Sequence, residues 1–439
     1  MSTVSLPSYV APMLPRAAPD YTVEPQDDEL RLALADRLRQ RPTGTFVKAS
    51  RGGDVRLVLD AQDSAALPVY GAAGKVEGRL ELAKTEGVTN VELKIEGRLH
   101  LREIAEGGTS SIKMSLGTAL LWVRDPNASH SICPSFLNFV LNLPPTFTHE
   151  EKTYPLPPTF SVKLSGLPGF IATIEYHLSA TINKPHAVPP LVPIVKSSLL
   201  GISIGTTTIT TPFIYYPRTR PAAPIPVPLI PTTEGFVEAP EWRVCESAVV
   251  PKVAGVQEIR TRLYLPASRI FCVKQPIPFH LVLQSSAKSL AAFLPCVPYP
   301  TLMNTKQATR LQLMRQSTVD VRSGFTSTTK TDMWRVDCIG EGVFRLIADG
   351  TTTILFSGEV KIDSSVKVPG FRAAGLSVKD CVLLTVEPPD PHRSPFNHLR
   401  QIIPVRLTTD SADGAGVGAI PGIEVAVPTP PSDQDNWRA

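Results

Sequence analysis

Two stretches, VELKIEGRLHL at residues 91–101 and FIATIEYHLSATI at residues 170–182, decide the fold of this chain. Apolar and polar residues alternate along both, the exceptions being Gly97 in the first and Ile171 in the second. A period of two places successive side chains on opposite faces of a β-strand. Strands with one apolar and one polar face are typical of antiparallel sheets that bury one side. We therefore predict an all-β protein built from antiparallel sheets.

Further strands are predicted at short intervals around these two. In the first half they are residues 55–59, 76–82, 112–123, 136–143 and 160–164; in the second half they are residues 259–265, 277–283, 309–313, 334–339, 354–362, 381–386 and 402–407. Many short strands separated by turns are typical of β-sandwiches. The predicted fold is therefore two tandem immunoglobulin-like antiparallel β-sandwiches, with a short N-terminal helix and disordered termini.

Length and composition exclude several classes of protein. With 439 residues the chain exceeds a single core, which stops growing near ~250–300 residues. It has 44 prolines, about twice the average frequency, which disfavours long helices. A net charge of +4 with 19% charged residues argues against a nucleic-acid partner. The six cysteines and eight histidines form no metal-binding spacing, so we expect no metal and no cofactor.

The composition also divides the chain into segments. We predict a flexible arm over residues 1–45 with a short leucine-spaced helix at 27–41, a first sandwich over 46–214, a proline-rich linker over 215–235, a second sandwich over 236–407 and a disordered tail over 408–439. The start of the chain lacks a basic segment followed by an unbroken apolar core, and no run of about 20 apolar residues occurs. We expect a cytoplasmic protein.

Several segments of the sequence resemble segments of the arrestin family. LPVYGAAGKVEGRLEL at residues 67–82 is similar to the opening strand of an arrestin N-domain, and FVLNLPPTF at residues 139–147 is similar to the strand that runs into a Leu-Pro turn. LYLPASRIFCVKQPIPFHLVL at residues 263–283 resembles the start of an arrestin C-domain. In character the chain is closest to fungal arrestin-like proteins and more distantly to the α-arrestin trafficking adaptors. The resemblance implies a non-enzymatic scaffold that binds cytoplasmic tails of membrane proteins.

In α-arrestins, [LP]PxY motifs recruit a HECT-type ubiquitin ligase by binding its WW domains. This chain has LPSY in the predicted arm, with Leu6 and Pro7 forming the extended part and Tyr9 as the aromatic anchor. The resemblance therefore implies a WW-domain site at these residues, which would couple the protein to endocytosis and sorting.

Two related sequences carry less weight. APDY, with Pro19 and Tyr21, lacks the first Leu or Pro of the motif and is predicted as a weak second site. LPVY at residues 67–70 fits the motif, but it begins a predicted strand, so we interpret it as structural.

The linker contains an RxxPxxP pattern formed by Arg218, Pro221 and Pro224, which is typical of proline-helix ligands. A proline-rich spacer would also produce this pattern. Both interpretations remain open.

Two alternative functions follow from the residues. The first, implied by the same resemblance, is a sorting or pH-signalling scaffold of the same fold that uses no ligase. For the adaptor itself we expect peripheral recruitment from the cytoplasm to the plasma membrane or endosomes. The second is a serine hydrolase using Ser203 of GISIG at residues 201–205, which matches the nucleophile elbow GxSxG. That elbow needs a helix after the serine, whereas TTTITTPF follows here, so we predict a strand instead.

Overall fold

The structure, a computed structural model, describes residues 44–62, 67–104, 108–125, 131–167, 169–184, 205–293, 309–322, 330–388, 392–412 and 427–432. Within these ranges it contains 22 β-strands and one short helix, which confirms the predicted all-β class. No helix of the described part is long and apolar enough to cross a membrane. The helix predicted at residues 27–41 lies outside the described ranges.

The strands of the first half are β1 (Phe46–Ala49), β2 (Val55–Leu59), β3 (Val69–Tyr70), β4 (Lys75–Leu82), β5 (Asn90–Glu103), β6 (Thr109–Val123), β7 (Phe136–Asn142), β8 (Thr146–His149), β9 (Lys152–Pro155), β10 (Phe160–Leu164), β11 (Phe170–Asn183) and β12 (Thr206–Tyr215).

The elements of the second half are β13 (Trp242–Val249), β14 (Ile259–Pro266), β15 (Ile270–Cys272), β16 (Ile277–Gln284), helix α1 (Ala287–Phe293), β17 (Thr309–Arg322), β18 (Lys330–Asp349), β19 (Thr353–Ile362), β20 (Phe371–Ala373), β21 (Leu376–Val386) and β22 (Leu399–Thr408).

The first half is a sandwich of two sheets. One has the strand order β1-β2-β4-β7, and the other has the order β3-β12-β11-β5-β6 with β10 added beside β11. The two strands that decide the fold, β5 and β11, pair antiparallel along their whole length, from Asn90 opposite Asn183 to Glu103 opposite Phe170. Their apolar positions are mostly buried in the core and their polar positions face outward, as the alternation predicts, except for the buried Glu103 at the end of β5.

The second half is a sandwich made from one continuous sheet that folds back on itself. Its strand order is β13-β14-β16-β19-β18-β17-β21-β22-β15. The first part of β18 pairs with β17 and its last part with β19, so this strand belongs to both layers. A single core cluster lies between the layers and contains Leu281, Leu313 and Val382, all fully buried.

Two glycines allow β18 to pass between the layers. A Cβ on Gly340 would stand 2.7 Å from the carbonyl oxygen of Lys361, and one on Gly342 would stand 2.8 Å from that of Leu311. Real Cβ atoms do not approach backbone this closely, so glycine is required here. The sequence predicted only residues 334–339 of this strand, because the glycines and the exposed apolar positions interrupt its alternation.

Helix α1 was not predicted. The hydroxyl of Ser286 accepts a hydrogen bond from the backbone N–H of Ser289 at 3.3 Å and caps its first turn. The helix has only seven residues, about two turns, so its sequence is too short to show a helical repeat of apolar residues.

Candidate functional site

Apolar side chains from both sandwiches share one core cluster. Val319, Met333 and Leu376 of the second half are buried among the residues of the first core. The rings of Phe160 and Phe371 meet edge to face with their centroids 5.1 Å apart. The contact is apolar and joins the two sandwiches.

A crevice of about 500 Å³ opens beside this contact and is lined by both halves. The first half contributes Leu156 and two prolines, Pro155 and Pro157. The second half contributes Phe371 and Pro404 among others. Its walls therefore combine apolar rings with backbone that cannot donate hydrogen bonds at the prolines.

Three cationic side chains face the crevice. Arg372 and Arg406 are exposed, and Lys379 is half-buried. The acid at the crevice wall, Asp380, is buried and ion-paired with Arg315. Because that pair cancels its own charge, the crevice presents a net positive surface.

The Arg315–Asp380 pair is bidentate. Nε and Nη2 of Arg315 donate to the two carboxylate oxygens at 2.7 and 3.0 Å, and Nη1 donates to the carbonyl of Val368 at 2.9 Å. The side chain of Asp380 is only 1% exposed. Planar fork-to-fork pairing of this kind fixes the position of both groups.

The hydroxyl of Tyr176 donates to the carbonyl of Pro157 and so holds the crevice wall against the first core. The ring of Tyr176 stacks on Phe213 with centroids 5.6 Å apart. Burial raises the pKa of this hydroxyl well above its ordinary value, so it remains a donor at any physiological pH.

We expect Tyr176→Phe to lower the free energy of unfolding by about 1–3 kcal/mol, because the carbonyl of Pro157 loses its buried donor. Urea denaturation of the full chain measures the loss. Tyr70→Phe is the matched control, since the buried hydroxyl of Tyr70 has no hydrogen-bond partner among the described residues. Equal stability of the two variants would contradict the assignment.

The linker is attached to the end of β22 by a second ion pair. Nε and Nη2 of Arg218 donate to the carboxylate of Asp410 at 2.9 and 2.7 Å, and Thr219 exchanges backbone and side-chain hydrogen bonds with Thr409. Burial opposes ionisation of Asp410, but hydrogen bonds from Arg218 and Thr409 outweigh it and hold the pKa of the carboxyl below its ordinary value. The contact joins residues 192 positions apart.

This pairing bears on the predicted proline-helix ligand. Its basic residue, Arg218, is engaged by Asp410; Pro221 is buried and Pro224 is exposed. Docking of the motif on a partner would require Arg218 to leave Asp410, so a structural role of the linker accounts for these residues without a partner.

Part of the predicted tail contacts the second sandwich. Residues 427–432 are described, and the carbonyl of Pro431 accepts a hydrogen bond from Nη2 of the buried Arg269 at 2.6 Å. Thr429 accepts from Arg406 at 3.4 Å. Pro428 and Pro431 line the crevice. These six residues therefore pack against the sandwich, and Pro431 supplies an acceptor to a buried guanidinium.

The other predicted site residues lie elsewhere. Leu6, Pro7, Tyr9, Pro19 and Tyr21 lie outside the described residues.

Ser203 also lies outside them, and the element that follows it directly is strand β12, not the helix that a nucleophile elbow requires. Tyr70 of LPVY is buried in strand β3, in agreement with its structural interpretation. Among the described residues no group of three His, Cys, Asp or Glu could hold a metal ion.

The cations of the crevice were not predicted as a site. Arg372 lies on β20, Lys379 on β21 and Arg406 on β22, and each looks like an ordinary outward position of its strand. Their proximity depends on which strands pair, which a single sequence does not state. The hairpin formed by β20 and β21 is the only local hint, since it brings the first two into adjacent strands.

Comparisons with known proteins find structural likenesses but no family or curated relative. No family model matches the chain, and no curated protein matches it. Among solved structures it is similar to the crystal structure of squid arrestin, with 9% sequence identity and a TM-score of 0.36 over 85% of this chain and 100% of the other.

Proposed function

We propose that the chain is a non-enzymatic cytosolic adaptor that holds extended, acidic segments of partner proteins in the crevice between its two sandwiches. The partners are the cytoplasmic tails of membrane proteins, as the resemblance to arrestins implies. The observation that carries the proposal is the crevice itself, with apolar walls from both halves and a rim of Arg372, Lys379 and Arg406.

The dimensions and chemistry of the crevice fit a peptide segment. Its volume of about 500 Å³ lies within the range of ~300–1,000 Å³ usual for ligand sites. Prolines and Phe371 offer rigid surfaces for apolar side chains at little entropic cost, while the cations attract carboxylates. An acidic tail with interspersed apolar residues satisfies both features.

The triple variant Arg372→Ala/Lys379→Ala/Arg406→Ala tests the crevice. We expect it to weaken binding of acidic membrane-protein tails by about tenfold or more, and to reduce the dependence of binding on salt, because three charges at the rim are removed. An array of cytoplasmic-tail peptides identifies the ligands, and calorimetry with the full chain measures their affinities.

A control removes three exposed cations of the first sandwich, in Lys48→Ala/Arg51→Ala/Arg98→Ala. It changes the net charge equally but leaves the crevice intact. Equal weakening by both triple variants would show that only net charge matters, and the crevice would be rejected as the site.

The adaptor couples its cargo to a HECT-type ubiquitin ligase through LPSY in the N-terminal arm, and thereby directs endocytosis and sorting from the plasma membrane or endosomes. Tyr9→Ala is expected to weaken WW-domain binding by roughly 30-fold or more, since Tyr9 is the aromatic anchor of the motif. Titration of isolated WW domains against the full chain gives the affinity.

Tyr21→Ala is the matched control for this motif, because APDY lacks the first Leu or Pro. It should reduce binding only slightly. Unchanged WW-domain binding by Tyr9→Ala would refute the assignment of LPSY. Absence of WW-domain binding by the parent chain would favour the alternative, a sorting or pH-signalling scaffold of the same fold that uses no ligase.

A further inference from the structure

The proline-rich segment VPTPPS at residues 427–432 lies against the second sandwich with a regular pattern of exposure. Pro431 is buried and Pro428 is half-buried, and both line the crevice. Thr429 and Pro430, which lie between them, are exposed. The two packed prolines are therefore three residues apart. Three is the number of residues per turn of a polyproline helix, which places residues i and i+3 on the same face.

The composition of this segment suits it to bind as a preformed extended helix. Three of its six residues are prolines, whose rings fix φ near −65°, and the segment belongs to no strand or helix. A polyproline helix has no internal hydrogen bonds, so its carbonyl groups need donors from outside. Because little freedom remains to be lost, such a segment docks at low entropic cost.

Arg269 supplies one of these donors from a fixed position. It is 5% exposed, and its Nη2 donates to the carbonyl of Pro431 at 2.6 Å. The backbone N–H of Arg269 donates to the carbonyl of Pro266, and its own carbonyl accepts from the N–H of Arg406 at 2.9 Å. Its φ is +52°, a conformation that side chains with a Cβ rarely adopt and that persists only where the surroundings hold it. A buried guanidinium is thus aimed rigidly at a proline carbonyl.

Arg406 lies beside this anchor and supplies a second donor. It is the parallel-strand neighbour of Ile270, the residue that follows Arg269. Its Nη1 donates to the hydroxyl of Thr429 at 3.4 Å, a long and therefore weak hydrogen bond. The strong contact is thus made to the backbone of the segment, and the two packed rings decide which sequences fit.

We propose that Arg269 and Arg406, at the edge of the crevice, form a recognition site for P-x-x-P segments, and that residues 428–431 of the chain are its resident, exchangeable ligand. We name it the proline site. A contact of six residues can open without unfolding of the sandwich, so a P-x-x-P segment of a partner protein can replace the tail. The inference goes beyond the proposed function, because it rests on the contacts of the tail and selects a neutral, proline-rich segment in place of an acidic one.

The test uses the fluorescently labelled peptide Ac-VPTPPS-NH2 with the full chain, and anisotropy measures binding. The parent should bind it weakly, because the tail of the same molecule occupies the site. In Pro428→Ala/Pro431→Ala the tail loses both packed rings, and we expect the peptide to bind at least about tenfold more tightly than it binds the parent. Equal binding by the two chains, or binding by neither, would overturn the proposal.

A matched variant tests the spacing of the prolines. Val427→Ala/Pro430→Ala changes two exposed residues of the same segment and should bind the peptide as weakly as the parent does. The corresponding peptides follow the same logic: in the Pro428→Ala/Pro431→Ala chain, Ac-APTAPS-NH2 should bind nearly as well as Ac-VPTPPS-NH2, and Ac-VATPAS-NH2 at least about tenfold more weakly. If both peptides or both double variants behave alike, a face of period three is not what the site recognises.

The anchor is tested in the Pro428→Ala/Pro431→Ala chain. Arg269→Lys keeps the charge but loses the planar set of donors, and we expect it to weaken peptide binding by about tenfold. Arg260→Lys, at an exposed arginine of the same sandwich, should leave binding unchanged. Equal binding by these two variants would reject Arg269 as the anchor and the proposal with it. The comparison of the two peptides does not depend on the stability of Arg269→Lys.

A further variant separates this proposal from the adaptor proposal. Arg372→Ala/Lys379→Ala removes two cations of the crevice but keeps Arg269 and Arg406. It should weaken binding of acidic tails and leave binding of the neutral hexapeptide unchanged. Failure of one proposal is therefore distinguishable from failure of the other.

Discussion

Asp380→Asn is expected to lower the free energy of unfolding by about 3–5 kcal/mol, the cost of leaving a buried charge without its partner. The carboxylate is only 1% exposed and accepts two hydrogen bonds from Arg315, which is itself 10% exposed. After the substitution the guanidinium keeps its positive charge in a site that water hardly reaches. Urea denaturation of the full chain at neutral pH measures the difference.

An exposed pair provides the control. Glu258→Gln removes the ionic partner of Arg260. The side chain of Glu258 is 45% exposed and that of Arg260 is 74% exposed, so the substitution should lower the free energy of unfolding by less than about 1 kcal/mol. The double variant Asp380→Leu/Arg315→Leu should recover much of the stability lost in Asp380→Asn, because no buried charge remains. If Asp380→Asn and Glu258→Gln cost the same, the pair does not hold the crevice wall.

The consequences reach the crevice, since Asp380 and Lys379 are adjacent residues of β21 that both line it. Without its partner, Arg315 would no longer fix β21, and the crevice wall that carries Lys379 would be disturbed. Loss of acidic-peptide binding in Asp380→Asn would therefore accompany loss of stability, whereas the rim variants should alter binding alone.

Strands whose alternation is nearly complete could be predicted nearly to the residue. Residues 91–101 and 170–182 became β5 and β11 with one to two residues added at their ends. Each has one face in the core and one in solvent, and this difference is visible in the sequence as alternating apolar and polar residues. Strand β18 could not be predicted in full, because its two parts serve different layers and its outward face carries exposed apolar residues such as Trp334 and Val343.

The candidate sites could not be predicted from the sequence for a related reason. The ion pair of Arg315 and Asp380 joins residues 65 positions apart, and that of Arg218 and Asp410 joins residues 192 apart. Such contacts depend on which strands pair, so the spacing of these residues along the sequence does not predict them. Sequence reasoning treated Arg218 as part of a ligand motif, since the acid that engages it lies at the far end of the second sandwich.

His280 provides the second large effect, a loss of stability as the pH falls. It is 3% exposed and packed against the rings of Phe236 and Trp242. Nε2 accepts a hydrogen bond from the backbone N–H of Leu229 at 3.1 Å, and Nδ1 lies 2.6 Å from the hydroxyl of Ser357. The hydrogen-bond network therefore assigns the neutral tautomer with its proton on Nδ1.

Protonation would place a hydrogen on Nε2, facing the N–H of Leu229, and would bury a charge. Burial lowers the pKa of His280 from its ordinary value of 6.5 to about 4. Between these two values the unfolded chain binds a proton that the native chain does not, so stability decreases as the pH falls from about 6.5 and levels off below about 4. The loss attributable to His280 is about 3 kcal/mol over this window.

His280→Gln isolates this contribution. Glutamine can accept from Leu229 and donate to Ser357 but does not titrate, so the variant should be less stable than the parent at pH 7 and lose less stability between pH 6.5 and 4. Other groups titrate in the same window, and the comparison with the exposed His398→Gln removes their effect. Parallel stability curves for the parent and His280→Gln would contradict a neutral, buried His280.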